Sequence, residues 1–169
     1  MCGIVVTSNI SLKNKVIELI KTINRRGPDN NNYLIKDEII FCHTRLIFFD
    51  LSNNSNQPVK LDNGGLLLFN GEIFNYDNLG EFNSDTLYLK SLFSIANLNN
   101  EFLIKNLNKL NGFFSIVFYK DGIIYSIRDR FGEKPLYISI VNSKNELQVQ
   151  LDRLITEINE INCPPIELN

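Results

Sequence analysis

A chain of 169 residues is long enough for one domain with a substantial core that needs neither disulfides nor metals to hold it together. Its 44% hydrophobic and 21% charged residues fit a soluble globular protein, and the net charge of -2 leaves no basic footprint for nucleic acid. Cys2, Cys42 and Cys163 form an odd set at unrelated spacings, as expected for reduced thiols rather than a disulfide framework.

No CxxC or HxxxH pair suggests a metal, and no basic leader runs into a long apolar stretch. A cytoplasmic protein with no cofactor, no membrane and no nucleic-acid partner is therefore expected. Chemistry enters at the first residues, Met1-Cys2-Gly3-Ile4. Aminopeptidases remove an initiator Met before a small side chain, which leaves Cys2 with a thiol and a free α-amine. An α-amine titrates near ~8 and a thiol near ~8.5, so the amine can take the thiol proton and later return it to a leaving group. The plainer alternative is a chance Cys whose thiol serves as a small buried hydrophobe.

Residues 3–8 read as a short apolar strand, and residues 14–23 set Val16, Ile17, Ile20 and Ile23 at helical spacing. Arg26-Gly27-Pro28-Asp29 ends that helix. Residues 33–36 and 39–45 form a hairpin around Asp37-Glu38, with His43 and Arg45 on one face of its second strand. Cys42 and His43 are neighbours on that strand and point to opposite faces, so they cannot form a thiol dyad. Leu66-Leu67-Leu68-Phe69 is apolar on both faces and reads as a central strand ending at Asn70-Gly71-Glu72.

Residues 83–86 offer N-cap side chains for a helix carrying Leu89, Leu92, Phe93 and Ala96, and a second helix spans residues 101–107. Asp121-Gly122 joins strands over residues 113–119 and 123–127. Another hairpin is read over residues 136–141 and 147–149, then a tail helix over residues 151–161. Strands, central helices and further strands make an α+β chain.

Six separated motifs together resemble the glutaminase domain of class II glutamine amidotransferases, most closely that of glutamine-dependent asparagine synthetases. They are Met1-Cys2-Gly3-Ile4, Arg26-Gly27-Pro28-Asp29, His43-Thr44-Arg45-Leu46, Phe69-Asn70-Gly71-Glu72-Ile73-Phe74-Asn75, Ser84-Asp85-Thr86 and Arg128-Asp129-Arg130-Phe131-Gly132-Glu133-Lys134-Pro135-Leu136-Tyr137. Each is weak alone, and their order makes them specific. The resemblance covers nearly the whole chain and implies the N-terminal nucleophile hydrolase fold, a four-layer αββα sandwich of two antiparallel sheets. It implies one glutaminase domain over residues 1–169, with no synthetase domain.

The resemblance also implies roles. Cys2 would attack the side-chain amide of glutamine, form a thioester and release ammonia, and water would then release glutamate. The Asn70 side chain and the Gly71 N–H would stabilise the oxyanion, worth about 3 to 4 kcal/mol per donor. Arg45 would hold the α-carboxylate, backbone groups of Leu46, Ile47, Phe48 and Phe49 would line the pocket, and Glu72 and Asp85 would meet the α-ammonium. Glutamine is the implied substrate and a separate ATP-dependent synthetase the implied ammonia acceptor; a homodimer is left open.

Taken singly, each residue has a plainer reading: Arg45 as a surface strand residue, Asp85 as a helix cap, Asn70-Gly71 as a turn. The chain also departs from the family. Residues 72–84 are short, Ile47 stands where a Ser usually follows Arg-Leu, and Gln150-Leu151-Asp152 replaces an Ala-Ser-Glu stretch. The competing functions are an amidohydrolase acting on another small amide, and an idle domain retained as a binding or regulatory module.

Overall fold

A computed structural model of the chain describes residues 2–48, 50–95 and 100–138. Two compact units are distinguished, residues 1–136 and 137–169, and the architecture below belongs to the first. Within it lie two antiparallel sheets. β1 (Gly3–Thr7), β2 (Asn30–Lys36) and β3 (Ile39–Arg45) form a three-stranded sheet in the order β1-β3-β2. β4 (Val59–Lys60), β5 (Leu66–Ile73), β6 (Gly112–Lys120) and β7 (Ile123–Arg128) form a four-stranded sheet in sequence order.

Local sequence explains the hairpins. Asp37 and Glu38 adopt φ of 49° and 62°, and Asp121 and Gly122 adopt 50° and 81°. Positive φ at both central residues gives the turn twist that suits two antiparallel strands. A hydrogen bond of 2.5 Å from the Tyr119 hydroxyl to Asp37 Oδ2 ties the end of β6 to the first of these turns.

Alternation then sorts side chains into layers. Phe41 on β3, Leu66 and Leu68 on β5, and Val117 and Tyr119 on β6 form one buried cluster, with Ile4 and Val6 of β1 packed against it. This is the seam between the sheets, and Phe41 and Tyr119 meet there with ring centroids 5.2 Å apart. On the outer side of the first sheet lies α1 (Lys13–Ile23), whose buried Val16, Leu19, Ile20 and Ile23 follow helical spacing. Outside the second sheet lie α2 (Asp85–Ser94) and α3 (Asn100–Leu107). Leu67, Phe69, Ile116 and Phe118 of the sheet join Leu89, Leu92, Phe93 and Leu103 of these helices in a second cluster. The layers run helix, sheet, sheet, helices, an αββα sandwich.

Two elements differ from the sequence reading. The central strand does not stop at Asn70-Gly71-Glu72; β5 runs on to Ile73, in register with β6 down to Gly112. Asn-Gly-Glu has turn composition, but pairing with Phe113, Phe114 and Ser115 keeps it extended. Gly71 permits this at φ 148°, where an added Cβ would lie 2.0 Å from the Phe113 carbonyl oxygen. Residues 136–138 carry no strand, and the rest of the expected 136–149 hairpin lies outside the described residues, as do the tail helix and Cys163.

Candidate active site

The start of β1 and the end of β3 are neighbours, with Gly3 opposite Thr44. Cys2 thus lies beside Leu46, whose carbonyl receives its thiol at 3.9 Å. Gly27-Pro28-Asp29 packs flat against this strand end. A Cβ on Gly27 would sit 2.5 Å from Thr44 backbone atoms, and the Asp29 N–H donates to the Arg45 carbonyl at 3.0 Å. Asp29 Oδ2 accepts from Ile47 N–H at 2.7 Å, and Arg26 Nε donates to the Cys2 carbonyl at 3.3 Å. The turn that ends the first helical segment therefore braces both Cys2 and the chain leaving Arg45.

A cleft of about 500 Å³, open solvent at its mouth included, lies across the end of both sheets. Cys2, Arg45, Leu46 and Phe48 line it from the first sheet and the loop after β3, and Gly71 and Glu72 from β5. Ser84 and Asp85 line it from the start of α2, and Tyr76 from the short segment before that helix.

Arg45 is only 5% exposed. Its Nη1 donates to the Ser52 carbonyl at 2.8 Å and to Asn56 Oδ1 at 2.7 Å, and Nη2 donates to the Asp50 carbonyl. Among the described residues these acceptors take three of its five N–H groups. Asp85 faces the opposite way chemically. Its Oδ2 accepts from Ile73 N–H at 3.2 Å and its Oδ1 from Thr86 N–H at 2.6 Å. Burial raises its pKa, against the pull of these hydrogen bonds.

Burial, then the charge of Asp85, pushes Glu72 up to about 7, with Lys134 pulling it back down. Burial likewise raises the Cys2 thiol, opposed by a backbone hydrogen bond from Leu46 and by the positive charges of the chain's α-amine and Arg45. The cleft thus gathers the Arg45 guanidinium, the carboxyl groups of Asp50, Glu72 and Asp85, the Cys2 thiol and the Gly71 peptide.

The last motif builds a loop beside this site. Burial works against the Asp129 charge, but the N–H groups of Lys134, Glu133 and Phe114 outweigh it and lower the pKa. Their hydrogen bonds measure 2.9, 2.9 and 3.2 Å. Arg128 Nε closes the loop on the Lys134 carbonyl at 2.9 Å. Lys134 is buried with Nζ 4.3 Å from the centre of the Phe113 ring, and burial lowers its pKa.

The family described as "Glutamine amidotransferase domain" matches residues 1–156. The chain belongs to the glutamine amidotransferase domain family. Asparagine synthetase [glutamine-hydrolyzing] 1 of Bacillus subtilis is 30% identical over 158 residues, 85% of this chain and 24% of that protein. The putative asparagine synthetase [glutamine-hydrolyzing] 2 of Methanocaldococcus jannaschii is 30% identical, covering 81% of this chain and 32% of that protein. The probable asparagine synthetase [glutamine-hydrolyzing] of Schizosaccharomyces pombe is 33% identical, covering 81% of this chain and 26% of that protein. The amidotransferase domain thus spans about a quarter to a third of the length of these relatives.

Seven of the residues singled out by sequence line this domain's cleft: Cys2, Arg45, Leu46, Phe48, Gly71, Glu72 and Asp85. Asn70 is buried on the β5 face that carries Leu66 and Leu68, next to Gly71. Ile47 is not among the lining residues, and its N–H is taken by Asp29. Phe49 lies outside the described residues.

Sequence reasoning missed Ser55 and Gln57, both buried and both lining the cleft. Ser55 Oγ joins Asp50 Oδ2 and, at 3.0 Å, Ser84 Oγ, which links the loop behind Arg45 to the cap of α2. No local sequence pattern marks either residue. His43 and Cys42 lie on opposite faces as expected, and both are fully buried.

Proposed function

We propose that this domain hydrolyses the side-chain amide of glutamine to glutamate and ammonia. What supports the reading is the chemistry gathered in one cleft: Arg45, Glu72 and Asp85 line it together with Cys2 and Gly71. An α-amino acid presents a carboxylate that Arg45 complements and an ammonium that Glu72 and Asp85 complement, which leaves its side-chain amide for Cys2.

In the proposed reaction Met1 has been removed and the α-amine of Cys2 takes the thiol proton. The thiolate attacks the amide carbon, and the oxyanion is held by the Asn70 side chain and the Gly71 N–H. The α-ammonium returns its proton to the leaving nitrogen, the C–N bond breaks, and ammonia departs from a thioester. Water, deprotonated by the amine, attacks that thioester and frees glutamate and the thiol. Burial raises the Cys2 pKa and so favours the neutral thiol at rest, which makes a base beside it necessary.

The relatives named above are asparagine synthetases, which supports a synthetase as the acceptor of the ammonia and asparagine synthesis as its use. A reduced catalytic thiol suits a cytoplasmic setting. Among the described residues no helix is long and apolar enough to cross a membrane.

Ammonia release from glutamine and from simple primary amides, compared for wild type, Arg45→Ala and Asp85→Asn, tests this reading. Each variant should raise KM for glutamine at least about tenfold and narrow the preference for glutamine, because a charged partner left unpaired rejects what it was built to hold. Wild-type protein that hydrolyses simple amides as fast as glutamine, with a ratio neither variant alters, would replace glutamine by a broader amide class. Absence of turnover on either would leave a binding module.

A further inference from the structure

β4 pairs with β5 only at Val59↔Leu67 and Lys60↔Leu66. Extending that antiparallel register by two residues sets Gln57 opposite Phe69. Strand pairing stops before it gets there, β4 beginning only at Val59 after Pro58. The Gln57 carboxamide fills in for the missing strand. Its Oε1 accepts from Phe69 N–H at 2.5 Å and its Nε2 donates to the Phe69 carbonyl at 3.1 Å. The same carbonyl meets His43 Nε2 at 3.1 Å across the seam between the sheets. A carbonyl only accepts, so His43 presents an Nε2–H to it, and burial lowers the ring's pKa to about 4.

Strand alternation places the N–H groups of Leu67, Phe69, Gly71 and Ile73 on this one edge of β5, and those of the residues between them toward β6. Phe74 N–H, for instance, donates to the Asn111 carbonyl that precedes β6. Asp85 Oδ2 occupies the edge at Ile73. Gly71 therefore stands between two side-chain stoppers, Gln57 on one side and Asp85 on the other, and it lines the cleft with Cys2.

We infer that Gln57 is a positioning residue for the oxyanion donors. By clamping both polar groups of Phe69 it fixes the peptide that leads into Asn70, and with it the aim of the Asn70 side chain and the Gly71 N–H. The inference rests on the reading of Asn70 and Gly71 as those donors. Its effect belongs to the step in which charge develops on the amide oxygen, so it acts on kcat rather than KM.

The test uses the full chain with Gln57→Met, which keeps length and loses both hydrogen bonds, and Gln57→Glu, which keeps an acceptor for Phe69 N–H. In glutamine hydrolysis, Gln57→Met should lower kcat by about 10- to 100-fold with KM within about threefold of wild type. Cys2 alkylation by iodoacetamide, which needs no oxyanion donor, should stay within about twofold. Gln57→Glu sets a carboxylate against the Phe69 carbonyl, so its kcat relative to wild type should recover as pH falls and the acid becomes a donor.

A rise in KM alone would overturn the inference by making Gln57 a substrate contact. A kcat loss that only tracks the unfolded fraction in a thermal melt, or alkylation that falls in step with kcat, would overturn it as well. If wild type does not hydrolyse glutamine, the reading of the site fails and the clamp is judged by amide exchange. Exchange at Phe69 should quicken at least about tenfold in Gln57→Met, matching roughly 1.4 kcal/mol per tenfold, and unchanged exchange would end the clamp too.

Discussion

Glu72 shows what the cleft costs the fold. With its pKa raised to about 7 by burial and then by Asp85, it holds a proton at pH values where the unfolded chain has already lost it. A free Glu titrates near ~4.3, so between that value and about 7 the folded chain binds more protons and stability falls as pH rises. Glu72→Gln should therefore raise the melting temperature at pH 8, and the gain should vanish as pH approaches ~4. A gain that is largest in acid would contradict this assignment. The same titration should raise KM for glutamine below pH 7, since only ionised Glu72 complements an ammonium. Cys2, Arg45 and Gly71 could be singled out because short motifs, each weak alone, stand in one specific order along the chain. Gln57 could not, because a single Gln before a Pro has no pattern, and its worth arises from Phe69, twelve residues away.

Among the elements, β5 decides the site. Its first half is apolar on both faces and was legible as a buried strand. Its second half carries Asn70-Gly71-Glu72, whose composition favours a turn, and only pairing with β6 shows it extended. The strand order β1-β3-β2 was equally hidden, since local alternation marks a strand without naming its neighbours. By contrast, α1 and the Asp37-Glu38 and Asp121-Gly122 turns could be read directly, because spacing and turn chemistry act within a few residues. Gly71→Ala tests the element. Its Cβ would strike the Phe113 carbonyl and the Phe114 Cα, and φ 148° adds backbone strain of order 1–3 kcal/mol. Urea unfolding should show a loss of at least that size, with glutamine hydrolysis lost in protein that is still folded. A variant with wild-type stability would mean that β5 and β6 do not approach as closely as described.

At the scale of the molecule, the stacked sheets separate two thiols by environment. Cys42 is fully buried on the face of the first sheet away from the seam, and burial pushes its pKa up to about 12. Cys2 is half-buried and opens on the cleft. The seam that sets Phe41 against Tyr119 also brings the end of β3 to the end of β5, so the cleft is a product of sheet stacking rather than of any one loop. The central claim, that Cys2 is an N-terminal nucleophile serving a glutamine pocket, is tested most directly by intact mass after exposure to a glutamine-like diazo ketone. The account predicts a chain that begins at Cys2 and gains a single adduct, with labelling suppressed by excess glutamine and lost in Cys2→Ala. An adduct on a chain that still carries Met1, or full labelling of Cys2→Ala, would contradict it.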